Sequence, residues 1–440
     1  MPLLPLPKHR TSREDVVRAL KARHSEDANW REGRTFSLVY YAGEDVKRLL
    51  EEAYTEFMSE NGLSPLAFPS LRKFEAEVLA MCASIFNGDA NVCGTMTSGG
   101  TESVLMAVKT AREWAKNERG IERPEMVVPI SVHPAFEKAA HYFGVKAVHV
   151  PCGADFKVDV NAMRAAVGSN TALVVGSAVA YPQGVVDPIA QIAALAKEKG
   201  ILCHVDACLG GFILPWAKKL GRDVPAFDFS VDGVTSMSAD LHKYGFAAKG
   251  ASAVLYKNAE LRRHQFFTYA DWPGGMYASP SMTGTRPGGA IAAAWAALHH
   301  FGEEGYVEQA KGMLATTDTF VNGIKSIPGL KVFGDPPATV VGFGSDTLNA
   351  WELGDAMEAR GWKLDRLNKP AGLHIMVTPA HARVVEPFLR DLRECAAGLT
   401  AGQPPPEGSA AMYGMLGAVT DAKQIDSFVK DFLDGLYEVG

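Results

Sequence analysis

The sequence predicts an α/β protein: a large domain on a mostly parallel sheet, followed by a smaller C-terminal α+β domain. Three observations carry this. Strand-like and helical segments alternate from Met126 to Asp206. The helices between them are long enough to return the chain as right-handed crossovers, with both sheet faces covered. After Tyr256 the alternation loosens, and only short strand-like runs remain.

Taken in order, residues 1–35 are polar and broken by prolines, with one helical stretch at Arg13–Arg23. Helical spacing of apolar residues marks Glu44–Glu60 and Ser70–Phe86, separated by the turn-rich Asn61-Gly-Leu-Ser-Pro65. The alternating region then predicts strands at Met126–Val132, Lys146–Pro151, Ala172–Ala178 and Ile201–Asp206. Helices are predicted at Ala135–Phe143, Asp159–Val167 and Asp187–Lys199. Two further strands follow, Gly233–Ser238 and Ala251–Tyr256. An Ala-rich helix, Ala290–Phe301, leads into another that starts near Tyr306. The C-terminal region carries the strand-like Leu330–Phe333, Thr339–Gly342 and Leu373–Val377, and a Gly/Pro-rich loop at Ala401–Gly408. The chain divides accordingly into an N-terminal arm (1–65), a large domain (66–310) and a small domain (311–440).

Composition narrows the function. A formal charge of −6 with no dense Lys/Arg block argues against a nucleic-acid surface. No apolar run approaches the roughly 20 residues needed to span a bilayer. The N-terminus places its charges after its apolar stretch, the reverse of a secretory signal. Six cysteines without a C-x-x-C pair predict reduced thiols and a cytoplasmic protein.

Three features bear on chemistry. Thr97-Ser-Gly-Gly-Thr-Glu-Ser103 precedes the helical run Val104–Lys116, where backbone N–H groups and the helix dipole favour an anion; a plain turn would read the same. Asp206 closes a hydrophobic strand within His204-Val-Asp-Ala-Cys-Leu-Gly-Gly211, and a carboxylate there needs a cation or several donors; capping the next segment is the commoner use. His204 and Asp206 face one side, but no third ligand stands at a telling spacing, so no metal is expected. Lys243, in Ser238-Ala-Asp-Leu-His-Lys-Tyr-Gly245, is either a solvated strand-end lysine or a Schiff-base amine whose pKa is depressed by desolvation and neighbouring charge. Together the three describe one ligand, pyridoxal 5′-phosphate: a phosphate at a helix start, a ring nitrogen paired to Asp206, an aldehyde carbon bonded to Lys243.

These strings, with Phe68-Pro-Ser-Leu-Arg-Lys73, His133-Pro-Ala-Phe-Glu-Lys-Ala139 and Gly284-Thr-Arg-Pro-Gly-Gly289, resemble the sphingosine-1-phosphate lyases, in the group II decarboxylase-like branch of fold-type I pyridoxal-phosphate enzymes. The similarity is to the soluble bacterial forms. It implies a seven-stranded sheet, a homodimer with shared active sites, and retro-aldol cleavage of a phosphorylated sphingoid base to a long-chain aldehyde and phosphoethanolamine. An amino-acid decarboxylase on the same scaffold is the alternative. It further implies that Lys243 carries the cofactor covalently, Asp206 pairs with its ring nitrogen and His133 stacks on the ring. Gly100, Thr101 and His242 would bind the phosphate, with Gly284 and Thr285 reaching in from a second subunit. Tyr40, Tyr181 and Lys249 match positions near the substrate head group, and Cys208 lies close by. Lys243, Tyr181, His133 and Lys249 are the candidate general bases. Ser64 and Gln183 stand where the family carries histidines.

Overall fold

The computed structural model describes residues 4–24, 27–418 and 422–437. Its centre is a seven-stranded sheet of β1 (Cys93–Thr97), β2 (Glu125–Pro129), β3 (Lys146–Val150), β4 (Thr171–Ser177), β5 (Leu202–Asp206), β6 (Ser236–Ala239) and β7 (Ser252–Tyr256). The spatial order is β1-β7-β6-β5-β4-β2-β3, and β7 alone runs antiparallel to its neighbours. Strands β4, β5 and β7 are buried along their whole length, as expected of strands with helices on both faces. One apolar cluster includes Val127, Val174, Val205 and Met237; another, on alternate residues, includes Met126, Leu173, Leu202 and Val254. This period-two division places a core on each side of the sheet.

Local chemistry sets the helix bounds. Asp159 caps Val160–Ala166 by accepting from Asn161 N and Ala162 N. The helix expected over Glu44–Glu60 ends at Glu56, ahead of Ser59 and the Asn61-Gly62 turn, residues that favour turns over helix. The expected Ala-rich helix and its successor form one element, Gly288–Lys325, bent at Gly302, whose φ of 52° leaves the helical region.

Past β8 (Phe267–Tyr269) and β9 (Tyr277–Ser279), which pair as a hairpin, the C-terminal region builds an antiparallel sheet. It comprises β10 (Leu330–Val332), β11 (Val340–Ser345), β12 (Asp365–Asn368) and β13 (Ala371–Met376), in the order β10-β11-β13-β12. Helix Val385–Thr400 covers it with Phe388, Leu389 and Leu392. The N-terminal segment joins this layer: Phe36 is fully buried, donates to Lys363 O at 3.1 Å and accepts from Met376 N at 2.9 Å. No helix among the described residues is long and apolar enough to cross a membrane.

Candidate active site

The site lies beyond the C-terminal ends of β1, β4, β5 and β6, where an open α/β sheet leaves a crevice. A cavity of about 350 Å³ opens there, lined by Gly100, Thr101, His133, Tyr181, Asp206, Cys208, Asp240, His242 and Lys243 among others. Strand β1 feeds straight into helix Gly100–Arg119, so the Gly-Gly pair is the helix start itself, four residues earlier than expected. Three side-chain atoms around Gly100 explain why no side chain fits there. A Cβ on Gly100 would lie 2.7 and 2.9 Å from the Asp240 carboxylate oxygens and 2.8 Å from Cys208 Sγ.

Asp206, at the end of β5, is held by Cys208 N and Ser238 Oγ, both donating to Oδ1 at 3.1 Å. Behind it His204 is fully buried between Ser236 Oγ (2.9 Å) and Ser238 Oγ (3.2 Å), and burial brings its pKa down to about 4. His204 is thereby a neutral link that orients Ser238, a role of support for Asp206. Among the described residues no cluster of three His, Cys, Asp or Glu side chains could hold a metal.

Lys243 Nζ sits 2.9 Å from Asp240 Oδ2. The expected depression of the amine's pKa is overturned. Burial alone would lower it, but the Asp240 carboxylate, with Asp206 behind it, outweighs burial and raises it above the ordinary lysine value. Asp240 answers in kind: burial works against its charge, yet the Lys243 ammonium holds its pKa below the usual carboxylate range. This aspartate is 1% exposed and keeps Oδ1 without a hydrogen-bond partner. Sequence reasoning missed it, although it stands three residues before Lys243, a spacing at which two side chains meet across one turn.

The histidines are neutral. His133 Nδ1 accepts from the N–H of Ala135, the first residue of helix Ala135–Phe143, at 3.1 Å, while burial lowers its pKa. His242 Nδ1 accepts from Ala251 N at 3.2 Å, and burial brings its pKa down to about 4. Burial raises the Cys208 thiol well above its ordinary value. Cys208 is therefore a protonated, unreactive neighbour.

Tyr181 closes the cavity from the loop after β4. Its hydroxyl donates to Asp365 Oδ2 at 2.8 Å, and its ring stacks on His374 at 4.5 Å. Beside the first cavity lies a second of about 360 Å³, mostly apolar, with His242 common to both. Tyr40, Val46, Leu50, Tyr54 and Phe246 line it, and Lys249 stands over the Tyr40 ring at 5.2 Å. Burial of its amine, and then Lys243 nearby, bring the Lys249 pKa down to about 8. Three anticipated residues line neither cavity. Ser64 is exposed, Gly284 lies 3.7 Å (by its would-be Cβ) from the Tyr277 hydroxyl, and Thr285 Oγ1 accepts from Asn61 Nδ2. Gln183 is buried with Oε1 unpartnered.

A buried acid pair around one lysine, a glycine cradle at a helix start and an orphaned carboxylate oxygen are the furniture of a bound, phosphorylated aldehyde. Residues 15–345 match the pyridoxal-dependent decarboxylase conserved domain. The chain belongs to that family, whose cofactor is pyridoxal 5′-phosphate, and the cavity's residues fit it. Within the family it sits with the sphingosine-1-phosphate lyases. It is 44% identical over 435 residues to the Dictyostelium discoideum lyase, covering 98% of this chain and 82% of that one. To lyase 1 of Rattus norvegicus it is 46% identical over 436 residues, covering 98% and 77%. The solved structure of the Burkholderia pseudomallei sphingosine-1-phosphate lyase superposes with a TM-score of 0.92 at 38% identity, covering 100% of this chain and 98% of that one. A Lactobacillus brevis glutamate decarboxylase shares the fold at 20% identity (TM-score 0.77, covering 91% and 95%).

Proposed function

We propose that this chain cleaves the Cα–Cβ bond of sphingosine-1-phosphate, a phosphorylated sphingoid base, releasing a long-chain aldehyde and phosphoethanolamine. One observation carries the choice over an amino-acid decarboxylase. The polar cavity at Lys243 opens beside a mostly apolar one, and a long alkyl chain needs such a neighbour while an amino acid does not.

Lys243 is the amine that would carry the cofactor, and Asp206, its Oδ1 held by two donors, would pair with the ring nitrogen. The N–H groups of Gly100 and Thr101 at the helix start, with neutral His242, receive the cofactor phosphate. His133, fixed by its bond to Ala135 N, would pack on the ring. When bound, the cofactor supplies an electron sink for the pair released as the carbon–carbon bond breaks. Lys249, whose Nζ lies 3.4 Å from the carbonyl of His242, the residue common to both cavities, would meet the substrate phosphate where the two cavities join, as an ammonium below about pH 8, with Tyr40 beside it. Tyr181 faces the reacting hydroxyl.

The same reading makes the enzyme a cytoplasmic homodimer, in which Gly284 and Thr285 of each chain complete the other's phosphate site. Their place outside both cavities of their own chain supports this. So does the hairpin just before them, which holds out Phe267, Trp272 and Met276 (83% exposed). The test is product analysis with sphingosine-1-phosphate and with a panel of amino acids, using Lys243→Ala as the blank. Aldehyde and phosphoethanolamine are expected; carbon dioxide without aldehyde refutes the reading. Light scattering gives the mass in solution, and a monomer refutes the shared site.

A further inference from the structure

Strands β12 and β13 of the small sheet bring two side chains against Tyr181. Strands β12 and β13 pair with Asp365 directly opposite His374. Asp365 Oδ2 takes the Tyr181 hydroxyl proton in a 2.8 Å hydrogen bond, and Ser37 Oγ donates to its Oδ1 at 3.1 Å. The His374 ring lies against Tyr181 at 4.5 Å with 19° between planes. Its Nδ1 stands 3.3 Å from Pro182 O, and since a carbonyl only accepts, the proton is on Nδ1. Its Nε2 is buried without a partner. Tyr181 is thus clamped by a stacked ring and a carboxylate, both from one sheet.

The consequence lies in where the phenol proton points. It is aimed at Asp365, so the cavity meets the lone pairs of the phenol oxygen, which can accept from a hydroxyl but cannot donate. Burial and then the Asp365 charge raise the Tyr181 pKa, so a free tyrosinate is disfavoured. A base that must ionise first is therefore a poor choice here. A phenol that passes one proton on while taking another has no such cost.

We propose that Asp365 is the terminal acceptor of the substrate hydroxyl proton, reached through Tyr181. This rests on the lyase reading above. The substrate O–H bond breaks and its proton bonds to the phenol oxygen; the phenol O–H bond breaks and its proton bonds to Asp365 Oδ2. The pair left on the substrate oxygen becomes the second bond of the aldehyde carbonyl. The pair of the broken carbon–carbon bond stays with the amine-bearing carbon until that carbon is protonated. Asp365 then returns its proton by the same route, which leaves carboxylate and phenol as they began. Asp365 acts through Tyr181 and touches no substrate. His374 fixes the ring plane. The titratable groups facing Tyr181 are Asp365 and His374 from the small sheet, His133, Lys243, Tyr40 and Tyr413.

Asp365→Asn keeps an oxygen for the Tyr181 hydroxyl but cannot take its proton. On the cofactor-loaded enzyme, kcat should fall by about 100-fold or more, with KM within about threefold and the acid limb of the kcat–pH profile lost. Tyr181→Phe should do the same, and the double variant should lie within about threefold of the slower single variant. The visible spectrum and affinity of the bound cofactor should be unchanged in Asp365→Asn. An Asp365→Asn enzyme with kcat within about tenfold of the parent, an intact acid limb, or multiplied losses in the double variant overturns the proposal. Should that variant fail to fold, single-turnover rates of the unmutated enzyme in H₂O–D₂O mixtures decide: a curved dependence fits two protons in flight, and a linear one overturns the relay. A parent enzyme that releases no aldehyde refutes the lyase reading and this role with it. One that releases aldehyde while Asp365→Asn stays active refutes the role alone.

Discussion

Replacing Asp240 by Asn removes the charge that holds Lys243 as an ammonium while keeping the side chain's shape. The two charges lie 2.9 Å apart with Asp240 at 1% exposure. At an effective dielectric constant of about 20, that pair attracts by roughly 6 kcal/mol. At about 1.4 kcal/mol per pKa unit, losing it lowers the Lys243 pKa by roughly four units, from above the ordinary lysine value to below it. Burial, opposed then only by the weaker pull of Asp206 and its neighbours, favours the neutral amine. The measurement is competitive acylation of the cofactor-free protein with trace acetic anhydride across pH, with Lys243 quantified by peptide mass spectrometry. At pH 7.5 the variant's Lys243 should be labelled roughly 1,000-fold or more faster than the parent's, the factor by which a four-unit fall enlarges the neutral fraction, and its titration midpoint should move down. Cofactor uptake at neutral pH should quicken with it. A midpoint that stays in place or rises would refute the claim that Asp240 sets the charge on this amine.

Gly100→Ala puts a methyl 2.7 Å from Asp240 Oδ2 and 2.8 Å from Cys208 Sγ, so cofactor affinity, followed by visible absorbance, should fall about tenfold or more with the far-UV spectrum intact. Gly184 has a φ of +72°, and a Cβ there would overlap the Val340 carbonyl. Gly184→Ala should therefore cost roughly 3 kcal/mol or more in urea unfolding, and an unchanged midpoint sinks that account. Because the Lys249 amine titrates at about 8, it is charged below that pH and neutral above it. KM for the phosphorylated substrate should rise as pH passes 8, and Lys249→Arg should remove the rise, since a guanidinium stays charged. A flat KM in the parent enzyme excludes Lys249 from the phosphate.

Much of the sheet was legible because β2 to β5 are apolar runs spaced by helices with clear caps. Strand β1 was not: Cys-Gly-Thr-Met-Thr lacks the β-branched apolar run that marks its neighbours, and it owes its place to pairing with β7. Strand β12, Asp-Arg-Leu-Asn, is equally polar, and β13 fixes it. The cofactor cavity was visible in short contiguous strings, since Gly100 begins a helix, Asp206 ends β5 and Lys243 lies in the turn after β6. What local reading could not supply is which charges face each other. The sign of the Lys243 shift turned on Asp240, an i,i+3 neighbour read past. Tyr181 was singled out without Asp365, 184 residues away, because only the packing of the small sheet brings them together.

The pairing of Phe36 with Lys363 and Met376 has a consequence for how the chain is made. Residues 34–37 leave the ribosome early, yet their backbone partners follow roughly 330 residues later, a wait of about 15–70 s at usual elongation rates. Through that interval a nascent chain carries Phe36 uncovered, and the sheet holding Asp206 and Lys243 is complete before Asp365 exists as peptide. A chain released before residue 365 therefore lacks the far wall, the edge that Tyr181 leans on.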